Sequence, residues 1–241
     1  VGVPRFIFSS SCSNYGAAGD DVLTEESELN PVTPYGKSKV MVEKELTKLA
    51  SSTFSPVYLR NATAYGVSPR LRFDLVLNNL VAWAFTTGKV HLKSDGSPWR
   101  PLVHIEDISR AFLTVLNAPK EKVHARAFNV GVAGENFRIR DVASIVRDTV
   151  LGSELSFADG ASPDKRNYRV DCSLLPRELP EFCTKWTVMT GAEELLDAYQ
   201  RTGLELSEFE GKRYKRIDHI RTLIEEGVLD SKLRHTGRNW Q

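Results

Sequence analysis

Tyr35 and Lys39 stand four residues apart in Tyr35-Gly-Lys-Ser-Lys39, downstream of Ser11 in the run Phe6-Ile-Phe-Ser-Ser-Ser-Cys-Ser-Asn-Tyr-Gly16. On a helix, a spacing of four stacks two side chains on one face, one turn apart. A cation held beside a phenol favours the phenolate, which makes the tyrosine a usable proton-transfer group near neutral pH. A hydroxyl from a neighbouring strand end, Ser11, would hold the same substrate oxygen. The trio therefore reads as a site that takes a proton from an alcohol while hydride leaves its carbon. The Y-x-x-x-K spacing also occurs on ordinary exposed helices, so the elements around it carry much of the argument.

Phe6-Ile-Phe8 is a short apolar run of the kind found in a buried parallel strand. The predicted strand, residues 5–10, ends in small hydroxyl residues, where an α/β sheet places its ligands. Thr33 is a predicted N-cap and Pro34 a first-turn proline, so Tyr35 opens a helix predicted over 34–52. A second buried strand follows at Pro56–Arg60. An apolar helix spans 73–87 and is closed by Gly88. Short strands at Val90–Leu92 and Pro101–Val103 flank the turn Ser94–Ser97. The pattern continues with a helix over 105–116, whose first-turn acids suit the dipole, a third parallel strand at Ala127–Val130, a helix over 140–150 and a strand over 155–157. Beyond Ser173 it is helical, with Thr190 predicted to cap 192–201 through a capping box with Glu193 and a further helix over 214–226. Strands alternating with helices make the fold class α/β.

The 241 residues allow one or two domains, and 41% apolar content is enough for a real core. A net charge of +1 implies neither a nucleic acid nor an anionic membrane as partner. No run approaches a membrane span, and the first residues do not read as a signal peptide. Cys12, Cys172 and Cys183 are odd in number and lack C-x-x-C spacing. They point to a reducing cytoplasm, with no disulfide framework and no metal site.

Four segments in order, FIFSSSCSNYG, NPVTPYGKSK, LRNATAYG and WRPLVHIEDISRA, resemble the extended short-chain dehydrogenase/reductase family, the nucleotide-sugar epimerases and dehydratases. The resemblance runs from about residue 4 to about residue 200. It implies the C-terminal part of a Rossmann-type doubly wound parallel sheet plus a smaller mixed α/β substrate-binding domain. Residues 1–66, with 99–131 returning, would belong to the dinucleotide-binding domain; 67–98 and 132–241 would form the substrate-binding region and C-terminal helices. The implied cofactor is NAD, with NADP left open, the implied partner is a nucleotide-diphosphate sugar, and the full-length form is expected to be a homodimer.

By the same resemblance Tyr35 is the catalytic base, Lys39 tunes it and anchors the nicotinamide ribose, and Ser11 binds the reacting hydroxyl. Ser9, Ser10 and the backbone of Ala62 fall on the cofactor side. Ser13, Thr63, Asn79, Arg100 and Arg166 fall on the substrate side, although the family more often has Asn where Thr63 stands. Arg100 and Arg166 suit phosphate oxygens, which a guanidinium matches bidentately. His104 and Asp107, at a strand-to-helix junction, read as braces of the turn. Family dehydratases typically carry acidic residues after the catalytic hydroxyl, whereas Cys12-Ser13-Asn14 holds no carboxylate. That disfavours a 4,6-dehydratase and leaves an epimerase or a keto-sugar reductase. No G-x-G-x-x-G or G-x-x-G-x-x-G occurs in the chain, so the phosphate cradle of a dinucleotide fold is missing from it. A non-catalytic fragment or binding module is therefore the alternative of another class, and NAD is expected to bind this chain weakly.

Overall fold

A computed structural model describes residues 2–92, 94–158 and 167–237. The strands are β1 (Arg5–Ser11), β2 (Ala17–Leu23), β3 (Ser55–Asn61), β4 (Thr63–Tyr65), β5 (Lys89–Leu92), β6 (Trp99–His104), β7 (Ala127–Val130), β8 (Asn136–Arg138), β9 (Glu154–Phe157) and β10 (Asn167–Val170). The helices are α1 (Pro34–Leu49), α2 (Val76–Thr87), α3 (Ile105–Asn117), α4 (Lys120–Val123), α5 (Ile139–Thr149), α6 (Leu174–Glu178), α7 (Val188–Thr202), α8 (Leu206–Phe209) and α9 (Arg216–Glu225). This is the α/β fold read from the sequence.

The sheet that positions the site is parallel, in the order β1-β3-β7, with Ser11 opposite Asn61 and Tyr58 opposite Ala127. Every residue of β3 is buried, as expected of a central strand covered on both faces. Its side chains alternate between two helices. Val57 and Leu59 join Ile108, Ala111 and Val115 of α3 in one apolar cluster with Phe128 and Val130. Tyr58 and Arg60 point the other way and meet Thr47 and Glu43 of α1. At Ala62 the chain leaves this sheet, and β4 enters a second one, β4-β6-β8, parallel at β4/β6 and antiparallel at β6/β8. Two further parallel pairs are β2 with β10 and β5 with β9. A separate core, including Leu77, Val81, Val90, Val146 and Leu195, joins α2, α5, α7 and β5.

Several boundaries differ from the sequence reading for local reasons. Helix α1 ends at Leu49 rather than Ser52: the Ala50 N–H bonds Thr47 O, and Ser51 and Phe54 exchange backbone bonds in a turn that feeds β3. Helix α2 starts at Val76, because Phe73 instead packs its ring against Tyr199, Phe209 and Tyr214. The cap of α7 is Thr187, not Thr190; the two threonines cap each other reciprocally, and this admits buried Val188 to the helix. Among the described residues no helix is long and apolar enough to cross a membrane.

Candidate functional site

The Ser9-Ser10-Ser11 end of β1 and the first turns of α1 meet at the carboxyl edge of the parallel sheet. Thr33 caps α1, its Oγ1 accepting from Gly36 N at 3.1 Å. Gly36 lets the helix come close: a Cβ there would lie 2.8 Å from the Ser13 carbonyl oxygen and 2.9 Å from Pro31 Cβ. The turn that carries Tyr35 is thus pressed against the turn that follows Ser11.

Tyr35 is 55% exposed on this edge. One turn on, Lys39 Nζ donates to the Ser9 carbonyl at 2.7 Å and lies 5.5 Å from the Tyr35 ring centroid and 4.7 Å from that of Phe8. Partial burial pulls the Lys39 ammonium below the ordinary lysine value. Ser11 caps the 3-10 turn Cys12–Tyr15. Its Oγ accepts from Ser13 N at 3.2 Å and from Ser13 Oγ at 2.9 Å. With both lone pairs engaged, the Ser11 hydroxyl has its proton left to donate. Ser13 therefore orients Ser11, while Ser9 seats Lys39 through its carbonyl.

Ser10 points to the opposite face of β1 from Ser9 and Ser11, where its hydroxyl donates to Glu43 Oε1 at 2.5 Å. Asn61 Nδ2 donates to Ser9 Oγ at 3.0 Å. Ala62 is buried and its N–H bonds Val130 O at 2.8 Å. Thr63 opens β4 opposite Leu102, half-buried.

In α2, Asn79 Nδ2 donates to Phe73 O at 2.8 Å. Its neighbour Asn78 is 2% exposed and bridges Gly66 N, Arg72 O and Tyr199. Arg100 is buried rather than a solvated surface group, with Nη1 donating to Trp99 O at 2.8 Å and its guanidinium 5.4 Å from the Tyr168 ring centroid. Arg166 lies outside the described residues. His104 and Asp107 brace the junction as read. The His104 Nδ1 accepts from Glu106 N, leaving Nε2 to donate to Glu194 at 3.0 Å, and Asp107 accepts from the N–H groups of Lys185 and Trp186.

Two groups escaped the sequence reading. Arg138 and Arg169 stand 4.9 and 5.4 Å from the Trp99 ring centroid, a cationic pair on one face of β6, whereas Arg100, the next residue along that strand, faces the other side toward Tyr168. The alternation of Arg with aromatic residues in 136–138 and 167–170 was the available signal. The second is a buried polar network behind the site. Glu43 and Arg60 form a salt bridge at 2.8 Å with side chains 7% and 8% exposed. Arg60 Nη1 donates to Tyr15 Oη and to Glu25 O, and Tyr15 Oη donates to Asn129 Oδ1 at 2.7 Å. Burial pushes the Tyr15 hydroxyl and the Cys12 thiol well above their ordinary ranges, so both stay neutral. A cleft of about 640 Å³ beside this network, lined by Thr47, Lys48, Tyr58 and Arg126 among others, opens along the far half of α1, away from Tyr35.

Residues 1–131 match the model of the NAD dependent epimerase/dehydratase family. The chain is 27% identical over 213 residues to a UDP-glucose 4-epimerase of Bacillus subtilis (strain 168), covering 80% of this chain and 61% of that protein. It is 25% identical to a UDP-glucose 4-epimerase of Erwinia amylovora, covering 81% of this chain and 62% of the relative. The chain thus spans about three fifths of the length of these curated relatives. Among solved structures it superimposes on the NAD dependent NDP-hexosamine 5,6-dehydratase TunA with a TM-score of 0.72 at 25% identity, covering 83% of this chain and 64% of that one. MoeE5 in complex with UDP-glucuronic acid and NAD matches with a TM-score of 0.71 at 26% identity, covering 84% of this chain and 67% of that one.

Proposed function

We propose, from the premise that this chain belongs to the NAD dependent epimerase/dehydratase family, that it carries the catalytic edge and sugar-nucleotide side of an NAD-dependent nucleotide-sugar epimerase. Residues 1–66 with 99–131 form the cofactor side, and 67–98 with 132–241 the substrate side. The observation that carries the reading is the seat of Lys39 on the Ser9 carbonyl, one turn from an exposed Tyr35, beside a Ser11 hydroxyl oriented to donate. Tyr35 takes the proton from a sugar hydroxyl and later returns it. Ser11 donates to the same oxygen as its charge develops. Lys39 supplies the fixed positive charge that favours the phenolate.

The residues fit the nicotinamide end of NAD. Lys39, seated on the Ser9 carbonyl, stands at the sheet edge beside the exposed Tyr35. The glycine-rich turn for the pyrophosphate is not among these residues. NAD, when bound, supplies a hydride acceptor that can also return the hydride. Arg100 provides positive charge for a diphosphate, Asn79 and Thr63 are the further substrate-side residues, and Ser13 serves through Ser11. The UDP-glucose 4-epimerase relatives and the UDP-glucuronic acid complex of MoeE5 support a UDP-sugar as substrate.

The carboxylate-free Cys12-Ser13-Asn14 turn favours epimerase over dehydratase. The test is product analysis with UDP-glucose and UDP-glucuronic acid, with NAD and a glycine-rich dinucleotide-binding unit supplied. An epimerase interconverts C4 epimers with no net change in nicotinamide absorbance. Stoichiometric NADH consumption with a keto-sugar makes it a reductase instead, and sugar-nucleotide binding without any exchange makes it a binding module.

A further inference from the structure

Tyr35, Lys39, Glu43 and Thr47 lie four residues apart along α1, one per turn on one face. The first two reach the sheet edge. The third is the most heavily bonded carboxylate among the described residues near the site. Its Oε1 accepts from Ser10 Oγ at 2.5 Å, Asn14 Nδ2 at 3.0 Å and Arg60 Nε at 3.2 Å, and its Oε2 accepts from Arg60 Nη2 at 2.8 Å. Arg60 thus grips the carboxylate side-on with two donors, a geometry that fixes orientation as well as distance.

The bonded groups come from the pieces whose mutual placement makes the site. Ser10 lies between Ser9, which seats Lys39, and Ser11. Asn14 belongs to the turn that Ser11 caps. Arg60 is on β3 and is itself tied through Tyr15 to Asn129 of β7, so the clamp is anchored to all three strands of the parallel sheet. Beyond the Gly36 contact with Ser13, the Lys39 bond to Ser9 O and the Thr47 bond to Tyr58, helix α1 buries little apolar surface. Its buried residues are Gly36, Val40 and Glu43, a single apolar side chain larger than a glycine. A helix lacking a wide apolar stripe depends on what else fixes it to the sheet.

We infer that Glu43 is a positioning residue: its carboxylate, clamped by Arg60, Ser10 and Asn14, sets the register of the Tyr35–Lys39 turns of α1 against the Ser9–Ser11 end of β1. The inference deepens the reading of Tyr35, Lys39 and Ser11 given above and rests on it. A carboxylate is required because every contact to it is a donor. A Gln amide of the same shape would turn an N–H2 toward Arg60 or toward Ser10 and Asn14, donor against donor.

The test needs no turnover. In a 1H–15N spectrum, the Lys39 ammonium, identified by its loss in Lys39→Met, should show slowed proton exchange because it is held on Ser9 O. Glu43→Gln should raise its exchange to the rate of solvent-exposed lysines while the far-UV spectrum stays folded. Ser10→Ala, which removes one arm of the clamp, should give an intermediate rate and serves if Glu43→Gln does not fold. Val40→Ala loosens α1 without touching the clamp and should leave the Lys39 signal unchanged. Unchanged exchange in a folded Glu43→Gln or Ser10→Ala protein overturns the inference, as does equal acceleration by Val40→Ala. If Lys39 responds to Glu43→Gln and no nucleotide sugar undergoes hydride exchange, the epimerase reading fails and the clamp stands. If hydride exchange is present and Lys39 does not respond, the clamp alone fails.

Discussion

Removing one partner of the Glu43–Arg60 pair should be among the most destabilising changes near the site. Both side chains are under 10% exposed, so Arg60→Met leaves the Glu43 carboxylate buried with Ser10 and Asn14 as its remaining donors. Breaking a buried pair in this way costs about 3–5 kcal/mol, chiefly because the surviving charge stays out of water. Arg60 also donates to Glu25 O and Tyr15 Oη. Those losses add about 0.5–1.5 kcal/mol each where no water replaces them. Set against a total stability of roughly 5–15 kcal/mol, the change removes a large fraction. The pair loss alone corresponds to a fall in Tm of roughly 6–20 °C for a chain of this size. The assay is thermal and urea unfolding followed by circular dichroism, on Arg60→Met, Glu43→Leu and the double variant. The double variant should be more stable than the two single losses added together, because neither charge is then stranded. A single-variant cost below about 1 kcal/mol, the range of an exposed pair, or strict additivity in the cycle would refute the reasoning.

Gly36→Ala would ordinarily stabilise a helix by about 1 kcal/mol, but here the new Cβ meets Ser13 O at 2.8 Å; thermal unfolding should instead show a loss of about 1–3 kcal/mol. Glu25 is raised above its ordinary value of 4.5, mainly by burial. The folded state therefore holds that proton more tightly than the unfolded one, and the Glu25 contribution to stability, full below pH 4.5, is lost as pH rises through the folded value. Glu25→Gln should flatten that decline in a Tm-against-pH series and leave the acid end unchanged; an unaltered slope would contradict the assignment. Arg100→Ala should weaken UDP-sugar binding in calorimetry by roughly 10- to 100-fold, the worth of a charge-assisted hydrogen bond to phosphate, and unchanged affinity would remove Arg100 from the phosphate site.

The sequence was informative wherever a short-range pattern had one physical solution. Phe6-Ile-Phe8 reads as a buried strand; it is a strand, but Phe6 is 43% exposed and Ile7 and Phe8 are half-buried. Thr33-Pro34 could start only one helix, so β1, α1 and the stacking of Tyr35 over Lys39 were legible from spacing. Thr187 and Thr190 each fit a cap three residues ahead of a partner, and only the burial of Val188 decides between them. Glu43 was not legible. In Glu43-Lys-Glu-Leu-Thr-Lys48 it looks like one more exposed helix charge, and its burial is created by Arg60, which arrives from β3 by folding. The same holds for Arg138 and Arg169. They lie in strands of three and four residues, too short for a reliable period, and they converge on Trp99 only through pairing with β6 and packing of β10. The Ser11 to Ser13 hydrogen bonds likewise depend on a turn geometry that Ser-Cys-Ser does not dictate.

The central claim is that Tyr35 moves the proton of a sugar hydroxyl at the edge set by Ser11 and Lys39. It is tested most directly with UDP-glucose deuterated at C4, NAD and a supplied dinucleotide-binding unit, following deuterium transfer to the nicotinamide in the wild type and in Tyr35→Phe. The account predicts transfer by the wild type and a loss of at least roughly 100-fold in Tyr35→Phe, with sugar-nucleotide binding and the unfolding transition retained. Equal transfer by a folded Tyr35→Phe protein would contradict it.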